Sequence, residues 1–291
     1  MNQKVTVMGT GRMGSALAAA LFKKGFATTV WNRTASKTEA LSRLGLRVAP
    51  TVLEAVNASD IVIVNINDYA STSQLLQHPD VESALHGKIL VQLTTGTPQE
   101  AREMQSWGRQ CGIQYLDGAI WSAPMGIGTP QSTVLYSGSE ELFNRVKPVL
   151  LAFGDNTVFV GNEIGQASAL DVAVLCGFFL NAMLGLLQGY IVCEVENVPI
   201  EKYVQFVKNL MPALEGFVAR VCGRVQERDY VGDQASLEAW SVAPKVLISW
   251  GRDHGVDHSI ADAQLSLFDR AIKAGKGQAD FAYLYEVLKA G

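Results

Sequence analysis

Up to residue 161 the apolar positions fall in short β-branched runs separated by stretches of helical spacing, as in a parallel α/β sheet. Lys4–Met8 predicts the first strand. Arg12–Lys24 predicts a helix with Ala16, Leu17, Ala20 and Leu21 on one face and Gly25 as its stop. Thr28–Trp31 predicts strand two and Ser36–Leu44 a short helix. Ile61–Ile66 and Lys88–Leu93 read as central parallel strands, apolar toward both faces. Pro98 opens a helix to Cys111, a position that suits proline. Thr133–Tyr136 and Thr157–Val160 read as further strands, with a helix over Glu140–Phe153 between them.

Beyond Gly161 no alternating run recurs. Gly165–Glu194 predicts one helix of about 30 residues, roughly 45 Å long. Pro199–Arg228, Ala235–Gly251, Ser259–Ala274 and Ala279–Lys289 predict shorter ones. The division falls near Gly161, giving residues 1–161 as an α/β domain and 162–291 as a long interdomain helix plus a helical domain. Leu170–Val195 is apolar and long enough to span a bilayer. Asp171, Asn181 and Gln188 lie within it and no Lys or Arg closely flanks it, so a helix buried between domains or subunits is expected instead.

Composition narrows the partners. Of 291 residues 48% are hydrophobic and 18% charged, enough for a large core. The net charge of −4 argues against nucleic acid or an acidic membrane surface, since both select a basic face. Cys111, Cys176, Cys193 and Cys222 show no ligand spacing and are expected to be free, mostly buried thiols in a reducing cytoplasm. No signal peptide is legible. His254 and His258, four apart, lack a third ligand nearby and read with His78 and His86 as polar surface, so no metal is expected.

The most informative motif is Gly9-Thr10-Gly11-Arg12-Met13-Gly14, which follows an apolar strand and opens an amphipathic helix. Gly9 permits the turn, Gly11 lets the backbone approach a pyrophosphate, and Gly14 lets helix and strand pack. The helix N-terminus then faces the phosphates. This is the dinucleotide-binding signature of a doubly wound Rossmann domain. At the end of strand two, where an acid would bind a ribose 2′-hydroxyl, stand Asn32-Arg33-Thr34, with Lys37 soon after. Arg33 can hold a 2′-phosphate through paired N–H groups, so the expected cofactor is NADPH. Two later strand ends, with Asn65, Ile66 and Asn67 on one and Thr94 and Thr95 on the other, should line the same crevice, although turn formation also explains such residues.

In layout and motifs the chain resembles the β-hydroxyacid dehydrogenase superfamily, related to 6-phosphogluconate dehydrogenase. The resemblance rests on Gly9 to Gly14, on Asp117-Gly118-Ala119-Ile120 and on Gly161 to Ala173. Two departures point to its imine reductase branch. Where the dehydrogenases carry a catalytic lysine on the long helix, this chain has Asp171. Where their substrate loop reads serine–glycine–glycine, it has Trp121-Ser122-Ala123-Pro124. Asn32 to Thr34, Leu93 to Pro98 and Gly277 to Phe281 also resemble that branch. The resemblance implies NADPH dependence and intertwined homodimers whose active sites draw on both subunits.

The expected chemistry is hydride transfer from NADPH to a cyclic imine or iminium ion, with reductive amination left open. Asp171 can stabilise an iminium as a carboxylate, or protonate the nitrogen as an acid, and burial brings its pKa toward the working range. Ile120, Trp121, Ser122, Phe179, Met211 and Trp240 are candidates for the pocket of a small apolar substrate, each also readable as core. Two other functions remain open: a β-hydroxyacid dehydrogenase, which lacks its lysine here, and a non-catalytic NADPH-binding protein.

Overall fold

A computed structural model describes residues 3–290. Contacts within the chain divide it into two compact units, Met1–Leu187 and Gln188–Gly291.

The first unit is built on eight strands: β1 (Lys4–Met8), β2 (Ala27–Trp31), β3 (Arg47–Val48), β4 (Ile61–Val64), β5 (Ile89–Gln92), β6 (Gln114–Ile120), β7 (Thr129–Gly138) and β8 (Gly154–Gly161). Their spatial order is β3-β2-β1-β4-β5-β6-β7-β8. The first six are parallel in the doubly wound dinucleotide-binding order, β7 runs antiparallel to β6, and β8 runs parallel to β7. Its helices are α1 (Arg12–Lys23), α2 (Glu39–Arg43), α3 (Val52–Asn57), α4 (Tyr69–Leu76), α5 (Pro79–Leu85), α6 (Pro98–Gln110) and α7 (Glu140–Leu150).

Alternation along each strand explains the two cores. Val5, Val7, Ile61, Ile63 and Val91 join Leu17 and Leu21 of α1 and Phe143 of α7 on one face. Met8, Val62, Val64 and Leu90 join Val56, Leu76, Leu85 and Met104 of α3 to α6 on the other. Each such fully buried side chain contributes about 2 kcal/mol of transfer free energy.

Three differences from the sequence reading have local causes. β6 reads poorly as a strand because Asp117 and Gly118 stand at its centre. Gly118 is required there, since a Cβ would lie 2.7 Å from Leu93 Cδ2 and 2.8 Å from the Leu135 carbonyl oxygen. The helices α3 to α5 are only six to eight residues long; α3 and α4 start at caps, Thr51 Oγ1 accepting from Glu54 N at 3.1 Å and Asp68 from Ser71 N at 2.6 Å, and α5 starts at Pro79. The Ser36–Leu44 helix is in fact a 3₁₀ turn at Ala35–Thr38 followed by α2.

The long helix, α8, spans Gln166–Val195, 30 residues with an 18-residue stretch of mean hydropathy 2.1, and by length and composition it is able to cross a membrane. Between Asp171 and Phe179 it widens into π-helical bonding. Its expected burial is not seen within the single chain: Phe179 is 48% and Leu187 60% exposed. The cysteines are likewise free but not buried, because Cys176 lies on α8 and Cys222 on the next helix, both with exposed faces.

The second unit contains α9 (Ile200–Glu227), α10 (Leu237–Trp240), α11 (Val242–His254), α12 (Ser259–Ala271) and α13 (Leu284–Lys289). The stretch predicted as one helix from Ala235 breaks at Ser241, and the one from Ala279 begins as a 3₁₀ turn at Phe281–Tyr283. Buried Asp280 receives Arg220 at 2.6 Å, tying α9 to the C-terminal segment. A single antiparallel bridge, Val231 to Ala279, is its only strand-like pairing among the described residues.

Candidate active site

At the C-terminal ends of β1, β2 and β4 lies a cleft of about 270 Å³. Gly9 turns the chain at φ +94°, and a Cβ there would stand 2.2 Å from the Asn65 carbonyl oxygen. A Cβ on Gly14 would stand closer still, 1.9 Å from the Gly9 carbonyl oxygen. A Cβ on Gly11, by contrast, would meet nothing within 4 Å, so open space lies over the start of α1. No side chain caps that helix. Thr10 Oγ1 is buried without a partner. Uncapped amides, a free hydroxyl and an open approach together fit a pyrophosphate.

Arg12, Met13, Asn32, Arg33, Thr34, Lys37, Asn65, Ile66 and Asn67 all line the cleft, beside Trp31, Ser71 and Leu75, which the sequence reading did not single out. Arg33, Thr34 and Lys37 are exposed at the end of β2 with no acid among them. That donor set fits a 2′-phosphate, and so NADPH. The amide residues hold the loops together. Asn32 Oδ1 accepts from Thr10 N at 3.0 Å, Asn65 Nδ2 donates to the Leu93 carbonyl at 2.6 Å, and Thr94 Oγ1 accepts from Ile66 N at 3.1 Å. Thr95 is exposed beside them.

One row of the sheet carries Trp31, Met8, Val64, Gln92, Asp117 and Ser137 in register. The strand ends that form the cleft therefore stand level with Asp117. β6 continues to Ile120, which packs with Met13 against the α1 face of the core. Beyond it Trp121 donates its indole N–H to Asp171 Oδ1 at 3.0 Å. Ser122 Oγ accepts from Thr133 N at 3.0 Å, which pins the loop to β7.

Asp171 is 2% exposed. Burial raises its carboxyl pKa, the Trp121 N–H opposes the rise, and the charge of Asp117 adds to it. Among the described residues Oδ2 of Asp171 has no partner, which leaves one oxygen for a ligand. Phe179 follows on the same helix, half exposed.

Met211 and Trp240 belong to the second unit. Met211 is half exposed on α9. Trp240 packs edge-on against Phe217 and Phe281, with centroids 5.8 and 5.6 Å away. Tyr230, the loop residue between α9 and α10, donates to Glu286 at 2.6 Å, and that bond first of all raises its pKa to about 12.

Comparison with known proteins agrees with these features. Residues 4–161 match the NAD binding domain of 6-phosphogluconate dehydrogenase, and residues 163–290 match the C-terminal domain of NADPH-dependent reductive aminase-like proteins. An NADPH-dependent reductive aminase from Aspergillus oryzae is 29% identical over 100% of this chain and 99% of its own. The solved imine reductase from Myxococcus stipitatus, in complex with NADP+, is 44% identical over 98% of this chain and 99% of that one, with a TM-score of 0.92. A reductive aminase from Aspergillus terreus, solved with NADPH4, cyclohexanone and allyl amine, is 30% identical over 99% and 100%, with a TM-score of 0.90. With its Rossmann sheet, its NADPH-type cleft and an aspartate in the lysine position of the long helix, the chain belongs to the imine reductase and reductive aminase family.

Proposed function

We propose that this protein reduces the C=N bond of small apolar imines or iminium ions to amines with NADPH, and that Asp171 meets the substrate nitrogen. NADPH, when bound, supplies hydride to the imine carbon and leaves as NADP+. The chain handles the nitrogen. A carboxyl held at raised pKa can give it a proton or, once ionised, balance its positive charge. A lysine at this position would repel an iminium. The observation that carries the reading is the buried Asp171, with one oxygen bonded to Trp121 and the other free.

Ile120, Trp121 and Phe179 offer apolar walls for the substrate, and Ser122, which also pins the loop, is proposed beside them. Met211 and Trp240 keep their proposed roles as substrate-facing side chains. Residues 1–161 are proposed as the cofactor domain and 162–291 as the helical domain for substrate and dimerisation. A homodimer pairing through α8 and α9 is also proposed, because Leu187 and Phe206 are 60% and 69% exposed and a lone chain rarely leaves so much apolar surface to water. The start of α8 is unsuited to lipid, with Ala167, Ser168 and Asp171 buried in the protein.

The test is NADPH oxidation at 340 nm with 2-methyl-1-pyrroline, run beside 3-hydroxy acids with NADP+, for the natural chain and Asp171→Ala. Imine turnover that drops at least about tenfold in the variant is expected. Oxidation of a hydroxy acid without imine turnover would return the chain to dehydrogenase chemistry.

A further inference from the structure

Asp117 lies at the centre of β6, fully buried, and the proposed chemistry makes no use of it. Three hydroxyls and one backbone amide surround it. Tyr69 Oη of α4 donates to Oδ1 at 3.0 Å. Ser168 Oγ donates to both oxygens, at 3.0 and 2.9 Å, and Ser168 N donates to Oδ2 at 3.3 Å. Ser137 Oγ of β7 donates at 3.4 Å and itself accepts from Ala167 N at 3.1 Å. The Ser168 amide can only donate, and three hydroxyls can donate beside it, so the surroundings can hold an ionised carboxylate.

The same bonds do a second job. α8 begins after Gly165, whose φ of +91° and missing side chain leave the first amides uncapped from within the helix. Ser137 takes the amide of Ala167 and Asp117 that of Ser168. The cap is therefore supplied from the sheet, by residues 30 and 51 positions away. Asp171 stands three residues after Ser168 on the same face, about 4.5 Å farther along the axis.

We propose that Asp117 is the positioning residue of the active site: its buried carboxylate anchors the first turn of α8 through Ser168, and so fixes the aim and the charge environment of Asp171. The inference rests on the reading of Asp171 given above. The titratable groups facing the two carboxyls are Tyr69 from α4, Tyr115 on β6, and each carboxyl toward the other. No cation among the described residues pairs with either. Burial raises the pKa of Asp117 and its four donor contacts pull it back, while its charge favours the protonated form of Asp171.

The test replaces the charge and keeps the shape. Asp117→Asn, in the full chain, is expected to lower the pKa of Asp171 by about half a unit or more. Carbon-13 NMR of labelled aspartate reads this directly. The Asp171 resonance is the one lost in Asp171→Asn, and that of Asp117 is the one perturbed by Ser168→Ala. The Asp171-dependent limb of the imine-reduction pH profile should move in the same direction, and kcat should fall about tenfold with KM for NADPH unchanged. A purely structural residue would not move that titration. An Asp171 curve that superposes in Asp117→Asn and the natural chain overturns the proposal. If Asp117→Asn does not fold, the natural chain decides: Asp117 must already be ionised when Asp171 titrates, and an Asp117 that stays protonated through that range overturns the proposal. Full turnover by Asp171→Asn would instead sink the reading of Asp171, while the NMR coupling would still be measured.

Discussion

Asp171 occupies a position that costs the fold some stability. A carboxyl whose pKa is raised in the folded chain binds its proton more tightly there than when unfolded. Its stabilising effect is complete below the unfolded value and is lost as pH rises through the folded one. Asp171→Asn keeps an acceptor for the Trp121 N–H and removes the desolvated charge. Its melting temperature is expected to exceed that of the natural chain by a few degrees at pH 8, with the gain shrinking on acidification. Calorimetry at matched concentration checks this, and no gain at pH 8 would mean that the site does not strain its carboxylate. At this scale the sequence was informative where chemistry sits in a local motif: Gly9 to Gly14, Arg33 and the substituted lysine position could all be read. Asp117 could be seen only as part of a resemblance, because its partners Tyr69, Ser137 and Ser168 are 48, 20 and 51 residues away. The bond from Trp121 to Asp171 was hidden for the same reason.

Among the elements, α1 and the strands around it form the part of the fold most sensitive to a single atom. An added Cβ at Gly14 would collide with the Gly9 carbonyl and push the first turn of α1 off β1. Gly14→Ala should raise the Kd for NADPH at least about tenfold while leaving the circular dichroism of the helical unit in place. Fluorescence titration of NADPH reads the loss, and unchanged affinity would show that the turn has slack. Long apolar runs such as Ile61–Val64 were legible because both their faces are covered. β6 was not, since the hydrogen bonds that satisfy its central acid are all tertiary. The bounds of α9 were legible, but not the break at Ser241 beside Trp240, which packs on Phe217 and Phe281.

For the whole molecule, the homodimer proposed above would cover the exposed faces of α8 and α9. Stable pairing of this kind usually buries about 2,000 Å² or more, and helices of this length can supply it. Light scattering should give twice the 31.4 kDa chain mass, and Leu184→Glu, at an exposed position of α8, should halve it and lower the melting temperature. A monodisperse single chain at micromolar concentration would refute the pairing. The widened stretch of α8 between Asp171 and Phe179 has one more consequence. Each residue of an ordinary helix turns the chain by about 100°. A loop absorbs an inserted or deleted residue by changing its path, but a helix passes the rotation on to everything after it. Losing one residue here would therefore swing Phe179 and the rest of α8 away from the direction that Asp171 sets. In this segment the number of residues matters as much as their identity.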